Sequence, residues 1–362
     1  MNKVIKSLLL SSLVAISSLA QAVHVDTVID SKMFRDARFT AAGGHTPAML
    51  VSTMDGEPDG ILKFTHTEER STLVMGIDPG EGPLRERLAS LVCEVIAEHT
   101  DVHFGVPKTY FTFMMDPTDI SADPVPHLAS YQRYVPDSMT LRQAGLDALN
   151  KVNRDEFQKF LFHVIMMAVD AHEGNILFTP VEGSDELEVH LIDMGNSLPR
   201  SLENGFYSSF NAWLLHPTSI NYMSDEWRHS LGEMDVKAIV EEIKNRWDFE
   251  VDHLDLATTL HPEIWDLLTI SLSTVKFGAK YNRQMRNIGS IFTPVKMKQN
   301  GGTVYYGGEI EDLYALYYDE GSERWFIDEA LADLELTMSR QKPSRIKPDT
   351  AFINLHHMPT FE

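Results

Sequence analysis

Two short segments of the sequence combine acidic and amide side chains with apolar runs. The first segment, residues 169–177, contains Asp170 and Asn175, and the second, residues 189–199, contains Asp193. Phosphoryl transfer requires a divalent metal held against the phosphates and a carboxylate directed at the attacking hydroxyl, and little covalent help from the protein. These three side chains are of the types that such a reaction uses.

The spacing of these residues predicts one shared centre. A five-residue separation lets a short loop present the Asp170 carboxylate and the Asn175 amide together, while Asp193 arrives from the neighbouring strand. We therefore predict Asp193 as the principal metal ligand and Asn175 as the second. Hard oxygen donors favour Mg²⁺ or Mn²⁺, and His172 and His190 are spaced for neither a compact zinc site nor a zinc-binding helix. Taken singly, each acidic residue also fits a turn or a helix cap.

The surrounding patterns predict the elements that position these residues. Apolar spacing indicates helices over residues 84–98, 157–169, 236–247 and 262–280, and turn signals and β-rich runs indicate strands over 40–64, 106–115, 129–135, 175–178 and 187–192. Residues 305–318 and 324–338 fit a hairpin or helices. The fold class is therefore α+β, with a β-rich first lobe at about residues 39–135 and a helical second lobe at about 136–290. A C-terminal appendage follows over residues 291–362.

The N-terminus is typical of a signal peptide. Lys3 and Lys6 precede an apolar run over residues 7–19, and Ala20 and Ala22 offer small residues for cleavage. We predict residues 1–22 as the signal peptide, 23–38 as an N-terminal extension, and a secreted or periplasmic mature protein. A membrane anchor is the alternative, although the run is too short to span a bilayer. No later stretch is apolar enough to do so.

Charge and cysteine content restrict the partners. With 31 Lys and Arg residues against 53 Asp and Glu residues, the formal net charge is −22, which excludes nucleic acid because phosphate binding requires a basic surface. An anionic membrane would also repel the chain unless a local basic patch intervenes. The single cysteine, Cys93, cannot form an intramolecular disulfide and lies in an apolar helical pattern typical of a core residue.

The two segments resemble the phosphatidylinositol 3- and 4-kinase superfamily, in particular the type II and plant gamma-type phosphatidylinositol 4-kinases. The family stretch Asp-Arg-His-x-x-Asn-Ile-Leu is similar to residues 170–177, and its Ile-Asp-x-Gly-x-x-Leu-Pro stretch is similar to residues 192–199. Four upstream segments also match in order, near residues 43–46, 61–64, 82–89 and 104–109, and the hinge-like segment 129–135 follows. The resemblance implies a two-lobed, protein-kinase-like fold over residues 39–290.

The resemblance also implies roles for individual residues. Asp170 would be the catalytic carboxylate, His172 would support its loop, and Lys63 would hold the ATP phosphates while pairing with Glu86. The phosphate loop would contain Gly43, Gly44 and Thr46, and the adenine-binding hinge would contain Gln132, Tyr134 and Val135. ATP and Mg²⁺ or Mn²⁺ are the implied cofactors.

We expect an exported kinase that transfers the γ-phosphoryl group of ATP to Ser or Thr of a protein, acting after delivery to a host or neighbouring cell. Three alternatives remain open. A phosphoinositide kinase follows from the resemblance alone. A non-catalytic ATP-binding protein is favoured by Ala171, which stands where the family has arginine. Transfer of AMP by the same fold is the third.

Overall fold

The computed structural model describes residues 29–34, 37–42, 48–68, 76–120, 123, 125–200, 212–256, 259–292, 295–299, 302–306, 309–319, 321–322 and 324–341. The predicted signal peptide and the glycine-rich segment with Gly43, Gly44 and Thr46 lie outside these residues. The chain divides into two compact units. The first unit contains the described residues up to Glu68 together with Lys108–Tyr134. The second unit contains the described residues 76–107 and those from Val135 onward.

The first unit is an antiparallel sheet with strand order β1-β2-β3-β5-β4. Its strands are β1 (Arg38–Ala42), β2 (Ala48–Ser52), β3 (Pro58–Phe64), β4 (Thr109–Met115) and β5 (Pro126–Arg133), with short 3₁₀ turns at Ser31–Phe34 and Thr65–Thr67. Leu62 and Phe64 are buried in a core with Tyr131. Because successive strand side chains point to opposite faces, Lys63 faces away from that core. The prediction of β structure over residues 40–64 and 129–135 is confirmed.

The second unit is mainly helical. Its first helix is α1 (Glu81–Thr100), and a three-stranded antiparallel sheet of order β6-β7-β8 lies among the helices that follow. The strands are β6 (Met139–Thr140), β7 (Ile176–Pro180) and β8 (Leu187–Leu191), and the helices are α2 (Leu141–Ala144), α3 (Arg154–Gln158), α4 (Leu161–Ile165), α5 (Ala212–Leu215), α6 (Asp225–Glu233), α7 (Val236–Leu254), α8 (Glu263–Lys280) and α9 (Met285–Gly289), with 3₁₀ turns at Leu146–Lys151 and Pro217–Ile220.

Helix α1 belongs to the second unit, although it lies within residues 39–135, the predicted first lobe. The Arg87 side chain donates to the Glu250 carboxylate on α7 through Nε at 3.1 Å and Nη2 at 2.7 Å. Arg85 donates to the carbonyl of Leu198 at 2.6 Å. Two buried arginines therefore attach the helix to the second unit, and such long-range partners could not be read from local periodicity.

The single helix predicted over residues 157–169 is wrong, because the structure has two short helices, α3 and α4, in its place. After α4, Met167 adopts a left-handed backbone with φ 44°. Carbonyl groups that a continuing helix would use have tertiary partners instead: Ile165 accepts from Ser271 Oγ at 2.6 Å, and Met166 accepts from the Leu198 amide at 2.9 Å. Tertiary hydrogen bonds thus overrode the apolar periodicity.

The C-terminal segment belongs to the second unit, and its last helix packs against the preceding helices. It consists of the hairpin β9 (Val295–Gln299) and β10 (Gly302–Tyr306), helix α10 (Glu309–Tyr317), the two-residue strands β11 (Tyr318–Asp319) and β12 (Arg324–Trp325), and helix α11 (Ile327–Arg340). On α11, Glu335 accepts from Lys280 at 2.7 Å, and the Met338 carbonyl accepts from Arg283 Nε at 2.6 Å. In the described part of the chain, no helix is long and apolar enough to cross a membrane.

A buried carboxylate at the start of α8 predicts a pH-dependent stability. Glu263 accepts from Trp325 Nε1 at 3.3 Å and from the Tyr318 hydroxyl at 3.5 Å. Burial, with Asp266 nearby, raises the pKa of Glu263 from 4.5 to about 7. Because the folded protein then binds this proton more tightly than the unfolded chain, the unfolding free energy should fall as pH rises from about 4.5 to about 7.

Replacing Glu263 by Gln should remove this dependence and raise the unfolding free energy above pH 7 by roughly 2 kcal/mol. Urea unfolding on either side of pH 7 measures both effects. The exposed Glu233→Gln variant is the matched control and should follow the unmodified protein. A Glu263→Gln protein with the same pH profile as the unmodified protein would contradict the prediction.

Candidate active site

The β7–β8 hairpin brings the two polar segments of the sequence together. Its register pairs Ile176 with Leu191, and the next residues outward, Asn175 and Ile192, are joined by a hydrogen bond from the Ile192 amide to the Asn175 carbonyl at 3.1 Å. Asp193 follows directly. The hairpin ladder therefore fixes Asn175 and Asp193 at the same end of the sheet, as their sequence positions predicted.

The loop before β7 orients the side chains of Asp170, His172 and Asn175. The Asn175 side chain is buried and donates through Nδ2 to the Asp170 carbonyl at 2.9 Å, which leaves its Oδ1 as the acceptor atom. The Gly174 amide donates to His172 Nδ1 at 2.8 Å, and His172 Nε2 lies 3.8 Å from Asp170 Oδ1. The Asp170 side chain is about one-third exposed at 34%. Its carboxylate is therefore accessible from solvent.

Gly174 is required by the closeness of His172. A Cβ atom at this position would lie 2.5 Å from His172 Cε1 and 2.9 Å from Nδ1, well inside contact distance. Only glycine lets the imidazole fold back onto its own loop. The same imaginary Cβ would lie 3.8 Å from Nη2 of Arg142, so the imidazole and the guanidinium flank one point of the loop.

Asn196 is a site residue whose role was not predicted from the sequence. Its Nδ2 donates to Asp170 Oδ2 at 3.3 Å, and its carbonyl accepts from the Val169 amide at 3.0 Å. The two bonds join the loop after β8 to the loop that carries Asp170. An amide three residues after Asp193 was the available signal, but its direction toward Asp170 depends on the turn between them.

Helix α1 holds the loop that carries Asp193. The buried Arg85 guanidinium donates to the carbonyl groups of Ser197 and Leu198 and to Glu81 at 2.7 Å. A Cβ on Gly195 would meet Gly82 at 3.4 Å, so this part of the loop packs on the first turn of α1. Asp193 has a left-handed backbone with φ 58°, a conformation that Asp and Asn tolerate better than most residues.

The donor set fits a hard divalent cation whose remaining ligands come from phosphate. Among the described residues, no three His, Cys, Asp or Glu side chains form a group that could hold a metal by themselves. Asn175 and Asp193 supply an amide oxygen and a carboxylate, and Mg²⁺ commonly binds through one or two such protein ligands together with substrate phosphates. His190 Nε2 contacts Thr179 Oγ1 at 2.9 Å, and burial lowers the pKa of this histidine.

The other predicted site residues lie on several elements. Lys63 is buried on β3 of the first unit, whereas Glu86 is buried on α1 of the second, so their pairing stays a prediction. Gln132 lies within β5, where its Nε2 donates to Thr109 Oγ1 at 3.2 Å. The Tyr134 amide donates to the Asp59 carbonyl at 3.0 Å, and the Val135 carbonyl accepts from Ser138 Oγ at 2.8 Å.

Comparison with known proteins leaves the family of the chain open. No protein-family model matches it, and no curated protein sequence matches it either. Among solved structures it is similar to the crystal structure of a Helicobacter pylori proinflammatory kinase, CtkA, with 13% sequence identity and a TM-score of 0.31, over 72% of this chain and 96% of that chain. A TM-score this low shows neither that the two proteins share a fold nor that they share an activity. A functional assignment therefore has to rest on the site residues themselves.

Proposed function

We propose that the protein is an ATP-dependent phosphotransferase that transfers the γ-phosphoryl group to a Ser or Thr hydroxyl of a protein. The observation that carries this proposal is the assembly at one end of the β7–β8 hairpin. There Asn175 and Asn196 both donate to Asp170, and the Ile192 amide donates to the Asn175 carbonyl, so that Asp193 is the next residue after this bond. Those residue types in that arrangement match the requirements of phosphoryl transfer.

Asp170 is the residue suited to receive the proton of the acceptor hydroxyl. Asn196 donates to Oδ2 of its carboxylate at 3.3 Å, and Oδ1 lies 3.8 Å from His172 Nε2, so the carboxylate is oriented within its loop. A hydrogen-bonded carboxylate with one oriented oxygen lowers the barrier mainly by positioning the hydroxyl. Such positioning requires a rigid loop, which the His172–Gly174 and Val169–Asn196 bonds supply.

Asn175 and Asp193 would hold the magnesium or manganese ion of a metal–ATP complex. The bound metal ion would neutralise charge that develops on the phosphates during transfer. By the family resemblance, Lys63 would bind the phosphates and Val135 would lie at the adenine hinge. Secretion, suggested by residues 1–22, would place the substrate protein outside the cell that produces the kinase.

The test is a transfer assay with γ-³²P-labelled ATP, magnesium or manganese, and a protein extract, with Asp193→Asn beside the unmodified protein. Asn is compatible with the left-handed backbone at this position, so the variant should fold while losing the carboxylate ligand. We expect labelled protein only with the unmodified chain, and a loss of at least about 100-fold in the variant.

The outcomes separate the alternatives. Equal labelling by both proteins would overturn the assignment of Asp193 and with it the proposed centre. Label in phosphoinositide vesicles but not in protein would replace the acceptor by a lipid. Absence of γ-label together with label from α-³²P-ATP would indicate AMP transfer, and ATP binding without either label would indicate a non-catalytic protein.

A further inference from the structure

Arg142 is an exposed cation beside the proposed catalytic loop. It lies in α2, which directly follows β6, and its backbone amide donates to the Glu173 carbonyl at 3.1 Å. Its Nη2 lies 3.8 Å from the point where a Gly174 Cβ would stand, and His172 Cε1 lies 2.5 Å from the same point. The guanidinium is therefore placed at the edge of the loop that carries Asp170.

Local structure fixes the position of this residue. Thr140 and Gln143 form a capping box, in which the Gln143 amide donates to Thr140 Oγ1 at 3.1 Å and the Thr140 amide donates to Gln143 Oε1 at 2.9 Å. Thr140 also pairs with Leu177 of β7. The backbone that presents Arg142 is thus tied both to its own cap and to the strand that begins after Asn175.

The guanidinium has no acidic partner within the described part of the chain. Several other arginines of the second unit do have protein partners. Arg85, Arg87 and Arg246 each contact a carboxylate, and Arg283 and Arg286 donate to backbone carbonyl groups. In a chain with a formal net charge of −22, an arginine beside a catalytic loop that has no acidic partner among the described residues is suited to bind an external anion.

The sheet order indicates which reactant that anion belongs to. The order is β6-β7-β8, so Arg142 after β6 and Asp193 after β8 lie on opposite sides of β7. Asn175 and Asp193, the proposed holders of metal and phosphate, lie at adjoining ends of β7 and β8, where the Ile192 amide donates to the Asn175 carbonyl. Arg142 follows β6 on the other side of β7, so a cation there is suited to the acceptor rather than to ATP.

We propose that Arg142 is a specificity-determining residue that binds an anionic group of the acceptor protein, a carboxylate or phosphate close to the phosphorylated hydroxyl. This inference rests on the proposed kinase function and names its substrate class, an acidic or already phosphorylated Ser/Thr site. An exposed charge pair of this kind changes binding by a modest factor, roughly 3- to 10-fold.

The test uses Arg142→Glu, with Lys237→Glu as the matched control. Lys237 is exposed on α7, so both variants change the net charge equally. The probes are peptides with one acceptor Ser and with Glu, phosphoserine, Lys or Ala at each flanking position in turn. Transfer from γ-labelled ATP gives KM for each peptide and for ATP. Fluorescence anisotropy of the same peptides with Ala in place of the acceptor Ser measures binding without transfer.

We expect the unmodified protein and Lys237→Glu to prefer Glu or phosphoserine peptides at one position by roughly 3- to 10-fold, and Arg142→Glu to prefer Lys peptides there. KM for ATP should be the same in all three proteins. Comparing the KM and binding of the Glu peptide with those of the phosphoserine peptide shows whether the bound group is a carboxylate or a phosphate.

Other results would overturn the role of Arg142, and they can be distinguished from a failure of the proposed kinase function. Transfer with the same peptide preference in all three proteins leaves the kinase standing and removes the role of Arg142. A change confined to KM for ATP would assign Arg142 to the nucleotide and equally contradict the inference. Charge-dependent peptide binding that Arg142→Glu inverts, without any transfer, would support the acceptor site while the kinase function fails.

Discussion

Asp170→Asn is expected to lower kcat for phosphoryl transfer by about 1,000-fold while leaving KM for ATP nearly unchanged. The amide has the same shape as the carboxylate and can still accept from Asn196 Nδ2 through its oxygen, so the 3.3 Å contact can persist. It cannot accept a proton from the acceptor hydroxyl. The loss should therefore appear in kcat, with the nucleotide still bound. Steady-state kinetics with a labelled protein acceptor measure it.

The control for this variant is Asp252→Asn, which makes the same chemical change at an exposed position on α7. Its kcat should equal that of the unmodified protein. If Asp170→Asn retained more than about a tenth of kcat, Asp170 would not be the proton acceptor. If it lost ATP affinity instead, the carboxylate would belong to the metal–phosphate side of the site.

Arg87→Met is expected to lower the free energy of unfolding by about 3 to 5 kcal/mol. Both partners of the pair are buried, with side-chain exposures of 1% for Arg87 and 4% for Glu250. Burial opposes the charge on Arg87, but attraction to Glu250 and Glu94 outweighs it and raises the pKa of the guanidinium. Removing the arginine leaves the Glu250 carboxylate buried without this partner, which is the costly step.

Urea unfolding followed by tryptophan fluorescence measures this loss, with Lys244→Met as the control. Lys244 pairs with Asp248 on the solvent side of α7, at exposures of 47% and 50%, so that its replacement should cost less than about 1 kcal/mol. The double variant Arg87→Met with Glu250→Leu should recover most of the stability, because no buried charge is then left alone. A double variant no more stable than Arg87→Met would show that packing, not charge, dominates.

Local patterns predicted the parts of the site that depend on one hairpin. Asn175 and Asp193 come together because two apolar strands pair directly, and strand pairing across a short turn is visible in sequence. Helices α1 and α8 were likewise predicted close to their observed bounds, and α7 was predicted from its first residue but seven residues short at its C-terminal end, because apolar positions recur with helical spacing. Mixed α and β structure follows from the same signals.

Features that depend on distant partners were not predictable in the same way. The break after α4 follows from bonds to Ser271 and Leu198, both far along the chain. Assignment of α1 to the second unit depends on Arg87 meeting Glu250. The role of Asn196 required the turn that carries it back to Asp170, and Arg142 required the pairing of β6 with β7. None of these contacts produces a periodic pattern of residues in the sequence.

The contacts of Arg85 make the Asp193 loop and helix α1 thermodynamically linked. One guanidinium, anchored to Glu81 on the helix, supports the carbonyl groups of Ser197 and Leu198. Any ligand that binds better to the ordered loop must also favour the ordered helix, and the coupling is reciprocal. A change that disorders α1 should therefore disorder the Asp193 loop as well, although 112 residues separate Arg85 from Ser197 in the sequence.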